Sequence, residues 1–437
     1  MMQRNKHLGD KMRNNRSVAI TGMGVVSSIG QDITSFAAAL QTGKSGIGYL
    51  QRNIDLDIPV KIGAEIRGFT LENKKGTIHP RMERIINKIQ KCVRRSPEPL
   101  HYAVAAAIEA WESSGICDVD FDMERVGLVV AGNNLNQHLQ YDLYEKFKKN
   151  PEFVSSSYAL QFMDTDHVGT LSELFGINGE GFTVGGASAS GNVGIIKGLQ
   201  LIRLGIVDVC VVVGAAAVFS PMELQAFYNI GAMGGKIYHD RPEQSCRPFD
   251  IDHEGFIYGQ ASGCIILESM ESANARKTKI LAEILGSSII LDGNKLSDPN
   301  VHGEERAMAS ALKQANIRIG EIDYINTHGS SSPLGDRTEL KAISKICGNE
   351  KERIWINSTK SLTGHCLYSA GVIEAIATVL QLNGGFVHPN LNLERPIDET
   401  FRFSKETYND VSIKVALSNS FAFGGINTSL IIRKGEY

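Results

Sequence analysis

The stretch TVGGASASGNVGIIKG, Thr183 to Gly198, decides how this chain reads. A strand-like GFTV (181–184) runs into Gly185, Gly186 and Ala187, and after Ser188 the spacing turns helical, with Val193, Ile196 and Leu199 on one side. A side chain at such a corner points its hydroxyl at the positive end of a helix dipole, a place suited to a nucleophile or to an anion. The plainer alternative is a serine N-cap, which needs no chemistry at all.

Outward from that corner, strand and helix signals alternate from Arg16 onward. Apolar strand candidates stand at 17–23, 125–132, 207–215, 263–269, 279–290, 322–327, 353–358, 411–418 and 428–433. Helical patterns lie between them, at 101–115, 191–205, 304–316 and 371–382. This alternation predicts a layered α/β protein. Strands so uniformly apolar are expected to be covered on both faces. The charged ESMESANARKTK near residue 270 divides the chain into an N-terminal half, 16–270, and a C-terminal half, 271–437, behind a loose polar tail at 1–15. About five strands on each side suggest two similar halves around one core.

The bulk numbers exclude several classes. A formal charge of −3 over 437 residues offers no basic field for nucleic acid. Seven cysteines without a C-x-x-C pair read as reduced thiols, hence a cytoplasmic protein. The longest apolar run, Val209 to Phe219, falls short of the roughly 20 residues a membrane span needs. The polar start has no apolar h-region and so no secretory signal.

Several motifs come close to known patterns. VAITGMGVVS (18–27) approaches a dinucleotide fingerprint, but Ser27 holds the third glycine position and no acid follows at the right distance, so a tight turn after a first strand is expected. GASAS (186–190) approaches G-x-S-x-G with Ser190 in its last place. Two histidines stand in glycine-bearing turns after strands: His328 in INTHGSSSPLGDRTEL and His365 in NSTKSLTGHCLYSAGVIEA. No third ligand at metal spacing accompanies them. Near the end a strand runs into Phe423-Gly424-Gly425, where glycines would let backbone N–H groups approach a ligand.

In this order, with ITGMGVVSSIG, CRPFDIDHEGFIYGQASG (246–263) and HPNLNLE (388–394), these segments resemble the β-ketoacyl-(acyl carrier protein) synthases of the thiolase superfamily, from about Arg16 to Arg433. The resemblance implies a layered αβαβα fold and a homodimer paired through strands near Val207–Ala215. It implies an acyl carrier protein as partner, with no cofactor beyond the phosphopantetheine arm that carries the substrate. His328 and His365 would donate hydrogen bonds to a malonyl thioester oxygen. Lys360 matches the family lysine, with Glu339 as its acidic neighbour, and the N–H groups of Ser188 and Phe423 would form a second anion pocket. Ser330 and Ser332 would contact the arm, and Lys88, Lys91, Arg94 and Arg95 would dock the carrier. Gln260 stands where relatives carry an acid, and the loop 133–141 aligns poorly.

The chief departure is Ser188, at the place of the family's nucleophilic cysteine. A hydroxyl is much harder to ionise than a thiol and needs a base. Acyl loading should therefore be slow, while decarboxylation, which does not need it, keeps all its parts. The pattern resembles the malonyl-carrier decarboxylases of polyketide β-branching, which make acetyl-carrier protein. Two other readings stay open: a condensing synthase with a serine nucleophile, and a noncatalytic ketosynthase partner subunit.

Overall fold

The computed structural model describes residues 16–51, 58–72, 82–295 and 297–435; the expected tail at 1–15 lies outside them. Eleven strands form one sheet: β1 (Val18–Ser27), β2 (Val126–Ala131), β3 (Gly181–Val184), β4 (Val209–Gly214), β5 (Ala261–Ser269), β6 (Ala282–Leu291), β7 (Tyr324–Asn326), β8 (Trp355–Asn357), β9 (Arg402–Phe403), β10 (Val415–Ala422) and β11 (Ile426–Lys434). Their spatial order is β9-β8-β7-β10-β11-β6-β1-β5-β4-β2-β3. Read outward from β1, the neighbours are the fifth, fourth, second and third strands of the first half. Read outward from β6, the second half repeats this arrangement (last, next to last, second and third strands), with β9 added at the outer edge. The two leading strands meet antiparallel at Ala19–Glu283 and Ile20–Ala282, which joins the halves back to back.

Six helices matter for the site: α1 (Glu83–Val93), α2 (Glu98–Ser113), α3 (Ser190–Arg203), α4 (Val301–Ala315), α5 (Pro333–Cys347) and α6 (Ala370–Gly384). Helices α3 and α6 pack on each other, and each touches strands of both halves, so they form a middle layer. Helix α2 covers β1 and β5 on one outer side, and α4 covers β6 and β11 on the other, with α5 against it. The result is the αβαβα layering. It explains why β1, β2, β4 and β5 are buried at every residue: neither face meets water.

Two expectations change. VAITGMGVVS contains no turn after its strand; β1 runs through to Ser27 with one irregularity between Ile20 and Gly22. Gly22 and Gly24 are there for close packing, since a Cβ would sit 2.1 Å from the Ala110 carbonyl oxygen and 2.0 Å from that of Ala106 on α2. The segment Val207–Ala215 does not offer a strand to a second copy, because β4 is already paired with β2 on one side and β5 on the other. On that side of the sheet the free edge belongs to β3, which leads into Ser188.

Candidate active site

Strand β3 ends at Val184, and the chain tightens into a single 3-10 turn, Ala187–Ala189, before α3 starts at Ser190. Ala187 holds a left-handed φ of 46°, which an L-residue adopts only under constraint. The constraint is Ser190: its Oγ accepts from the Gly186 N–H at 2.9 Å and donates to the Ala187 carbonyl at 2.7 Å. Ser188 therefore lies two residues before the first helical residue, in the middle of the 3-10 turn, and it is not the cap of α3, whose N-cap position is Ala189. Ser188 is half-buried and its side chain lines a cavity of about 420 Å³.

Both histidines line that cavity, as do Phe423, Ser330, Ser332 and Glu339. The imidazole centroids are 5.5 Å apart, with the rings nearly perpendicular at 81°. His365 follows Gly364, and its backbone is clamped to the chain crossing from the first half: its N–H donates to the Ile257 carbonyl at 2.7 Å and its carbonyl accepts from Gly259 at 3.0 Å. Its Nδ1 accepts from the Leu367 N–H at 3.1 Å, so the proton of the neutral ring sits on Nε2. His328 follows β7, where Glu339 on α5 accepts the N–H groups of His328 at 2.8 Å and Gly329 at 2.7 Å. The Lys360 ammonium stands 3.4 Å from His328 Nδ1, and a lysine only donates, so here too Nε2 carries the proton. Burial above all, then the charge of Lys360, pushes both imidazoles well below their usual range; for His328 the neighbouring His365 adds to this. Both rings are neutral donors.

Lys360 does not pair with Glu339. Its ammonium donates to the His328 carbonyl at 2.6 Å and forms an ion pair with Glu374 on α6, both side chains being almost wholly buried. Glu339 has a different task, with Asn419 Nδ2 at 3.2 Å as its third donor. Burial pushes its carboxyl up to about 7 against the pull of those N–H groups. Glu374 was missed in the sequence, although a lone acid inside GVIEAIATVLQL was a legible signal.

The remaining expected positions divide. Among the described residues neither the Ser188 N–H nor the Phe423 N–H has an acceptor within the chain, so both remain available to a ligand. Gly424 and Gly425 make the left-handed hairpin turn from β10 to β11, with φ of 82° and 68°. The Gly425 N–H is taken by the Ala422 carbonyl, so it is not a ligand donor. The hydroxyls of Ser330 and Ser332 flank Gly335, on one wall. Lys91, Arg94 and Arg95 ring a separate surface depression together with Ser157, Leu160 and Gln161. Lys88 is not with them; its ammonium turns to the Glu173 carbonyl at 2.7 Å. The poorly aligned loop contributes Asn133 to the cavity, and Phe219, Phe227, Phe256 and Tyr368 supply its apolar side. Gln260 supports that side: it accepts from the Ile66 N–H and donates to Tyr258 Oη, which lies stacked on Phe219.

A buried pair of neutral imidazole donors facing a side chain at a helix tip, in a two-fold repeated αβαβα frame, defines a ketosynthase-type site. The chain belongs to the β-ketoacyl synthase family: residues 15–273 match the beta-ketoacyl synthase N-terminal domain and 281–394 its C-terminal domain. It is 39% identical over 96% of its length, and 97% of the relative's, to the polyketide biosynthesis malonyl-ACP decarboxylase PksF of Bacillus subtilis. It is 32% identical to the chloroplastic 3-oxoacyl-[acyl-carrier-protein] synthase I of Hordeum vulgare, over 95% of this chain and 88% of that one. Among solved structures, the ishigamide ketosynthase/chain length factor superposes with a TM-score of 0.84 at 28% identity, over 96% of this chain and all of that one.

Proposed function

We propose that this chain decarboxylates the malonyl group on an acyl carrier protein to acetyl, in polyketide biosynthesis, where the acetyl-carrier protein serves as donor for β-branching. One observation carries the reading: two neutral imidazoles with fixed Nε2–H donors share a cavity with a serine that has no base. Among the described residues Ser188 Oγ makes no hydrogen bond to either histidine or to any carboxylate, so nothing takes its proton for acyl loading. The phosphopantetheine arm would enter past Ser330 and Ser332 and place the thioester oxygen between the two Nε2–H groups. As the carboxylate leaves, its bonding electrons move onto that oxygen, where each aimed donor is worth about 2.7–4 kcal/mol in the transition state. Lys360 fixes the tautomer of His328 and lends positive charge.

Lys91, Arg94 and Arg95 would receive the acidic carrier, and the free edge of β3 would pair with a second copy to give a homodimer. A cytoplasmic setting agrees with the seven free cysteines. Among the described residues no helix is long and apolar enough to cross a membrane. Incubation with malonyl-carrier protein, followed by intact mass, tests the reading. Acetyl-carrier protein without chain growth is the expected product, and His328→Ala or His365→Ala should each slow its formation about 10²–10³-fold. A lengthened acyl chain would instead mark a condensing enzyme, and an intact malonyl group a noncatalytic partner.

A further inference from the structure

Loss of carbon dioxide leaves an enolate whose methylene carbon must still take a proton, and the groups assigned so far do not supply one. Both Nε2–H groups are aimed at the thioester oxygen, and the Lys360 ammonium is held by His328 and Glu374. Among the described residues Ser188 has no hydrogen-bond partner that would restore a proton it gave up.

Glu304 lies on the wall of the same cavity, in the first turn of α4, and is 1% exposed. It shares the buried face of its helix with Ala307, Met308 and Ala311. Among the described residues its Oε2 is buried without a hydrogen-bond partner. The charges it feels come from Glu339 on α5, Asp292 after β6 and Asp336 on α5, all acidic. Each of these three has donors of its own. Glu339 accepts three N–H groups, and Asp336 accepts the N–H groups of Phe249 and Ser331 besides facing His253 Nδ1 at 2.9 Å. Asp292 accepts from Asn427 Nδ2 at 2.9 Å through Oδ1, while its Oδ2 is buried without a partner among the described residues. Hydrogen bonds to the charged form keep a buried carboxylate ionised, and lack of them keeps a buried carboxyl protonated. Among the described residues no donor reaches Glu304 Oε2, and burial and its acidic neighbours hold its carboxyl well above the usual range, so Glu304 keeps a proton.

We propose that Glu304 is the proton donor that converts the enolate to the acetyl thioester; this rests on the decarboxylase reading above. The bond between the carboxylate and methylene carbons breaks, carbon dioxide leaves, and the electron pair enters the enolate. The methylene carbon then forms a C–H bond with the Glu304 proton, the carboxyl O–H bond breaks, and Glu304 remains as carboxylate. Water entering the cavity returns the proton, and one hydroxide leaves for each turnover.

The experiment compares wild type, Glu304→Gln and Glu304→Asp on malonyl-carrier protein from neutral to alkaline pH, with acetyl formation followed by mass. Wild-type turnover should fall on the alkaline side as Glu304 loses its proton. Glu304→Gln should lower turnover about 10²-fold and abolish that alkaline limb, at unchanged KM and thermal midpoint, and Glu304→Asp should recover part of both. A Gln variant with wild-type turnover overturns the assignment. So does a slowed one that keeps the alkaline limb, since Glu304 would then only hold the wall. Should the Gln variant not fold, a wild-type profile that stays flat on the alkaline side overturns it equally. A wild type that leaves the malonyl group intact defeats the decarboxylase reading itself.

Discussion

At position 188 an oxygen stands where the family resemblance implies sulfur, and the surroundings show what that atom gives up. The 3-10 turn still presents the side chain to the cavity, but among the described residues Ser188 Oγ makes no hydrogen bond to a base. Ser188→Cys should restore nucleophilicity, because a thiol beside free N–H groups at a helix start ionises far more readily than a hydroxyl. Incubated with an acyl-carrier protein, the Cys variant should gain an acyl mass that wild type lacks; equal labelling of wild type would make the serine a nucleophile after all. Gln260 is informative at the same scale. Tyr258 Oη already donates to the Ala217 carbonyl at 2.8 Å, so its neighbour must donate to it, which an amide does and a carboxylate does not. Gln260 therefore keeps Tyr258 oriented under the cavity wall without itself lining the cavity.

Among the elements, the middle layer α3–α6 governs the site. Gly191 and Gly371 let the two helices touch backbone to backbone: a Cβ on Gly191 would stand 2.6 Å from the Val372 nitrogen, and one on Gly371 2.5 Å from that of Asn192. That approach brings Glu374 under Lys360. Because both partners are buried, Lys360→Met should destabilise the fold by about 3–5 kcal/mol in urea unfolding, as it strands a carboxyl in the core. Lys360→Met with Glu374→Leu should recover most of that stability but little decarboxylation, since His328 Nδ1 still lacks its donor. Equal recovery of both would mean that Lys360 acts on stability alone. The strongly periodic helices were legible within a few residues, 101–115 appearing as Glu98–Ser113 and 371–382 as Ala370–Gly384. Helices Gln137–Lys149 and Pro333–Cys347 were not, because their polar openings, NNLNQ and SSSPLGD, carry turn chemistry and hide the helix behind them.

Over the whole molecule, the buried layers hold histidines that stay neutral in the fold. His167 is the clearest: among the described residues neither ring nitrogen has a hydrogen-bond partner, and burial pushes it down to about 3. Below about 6.5 an unfolded imidazole takes up a proton that the folded one refuses, so stability is fully present above that pH and declines as pH falls toward 3. The buried acids Glu304 and Glu339, with raised values, act in the opposite sense. A difference measurement isolates His167. The stability of His167→Leu relative to wild type should rise by about 1.4 kcal/mol for each pH unit below about 6.5, read from urea curves. A gap that does not move with pH would mean that the folded ring protonates freely. The sequence by itself determined the layering, the small-residue corner at Ser188 and the two histidine turns, because apolar periodicity and turn chemistry are local properties of the chain. Only the tertiary structure decided which edge of the sheet is free, that Lys360 answers to Glu374, which nitrogen of each imidazole carries its proton, and that Glu304 meets the cavity. Those facts depend on how closely segments far apart in sequence approach one another, and periodicity reports that a face is buried without saying what it is buried against.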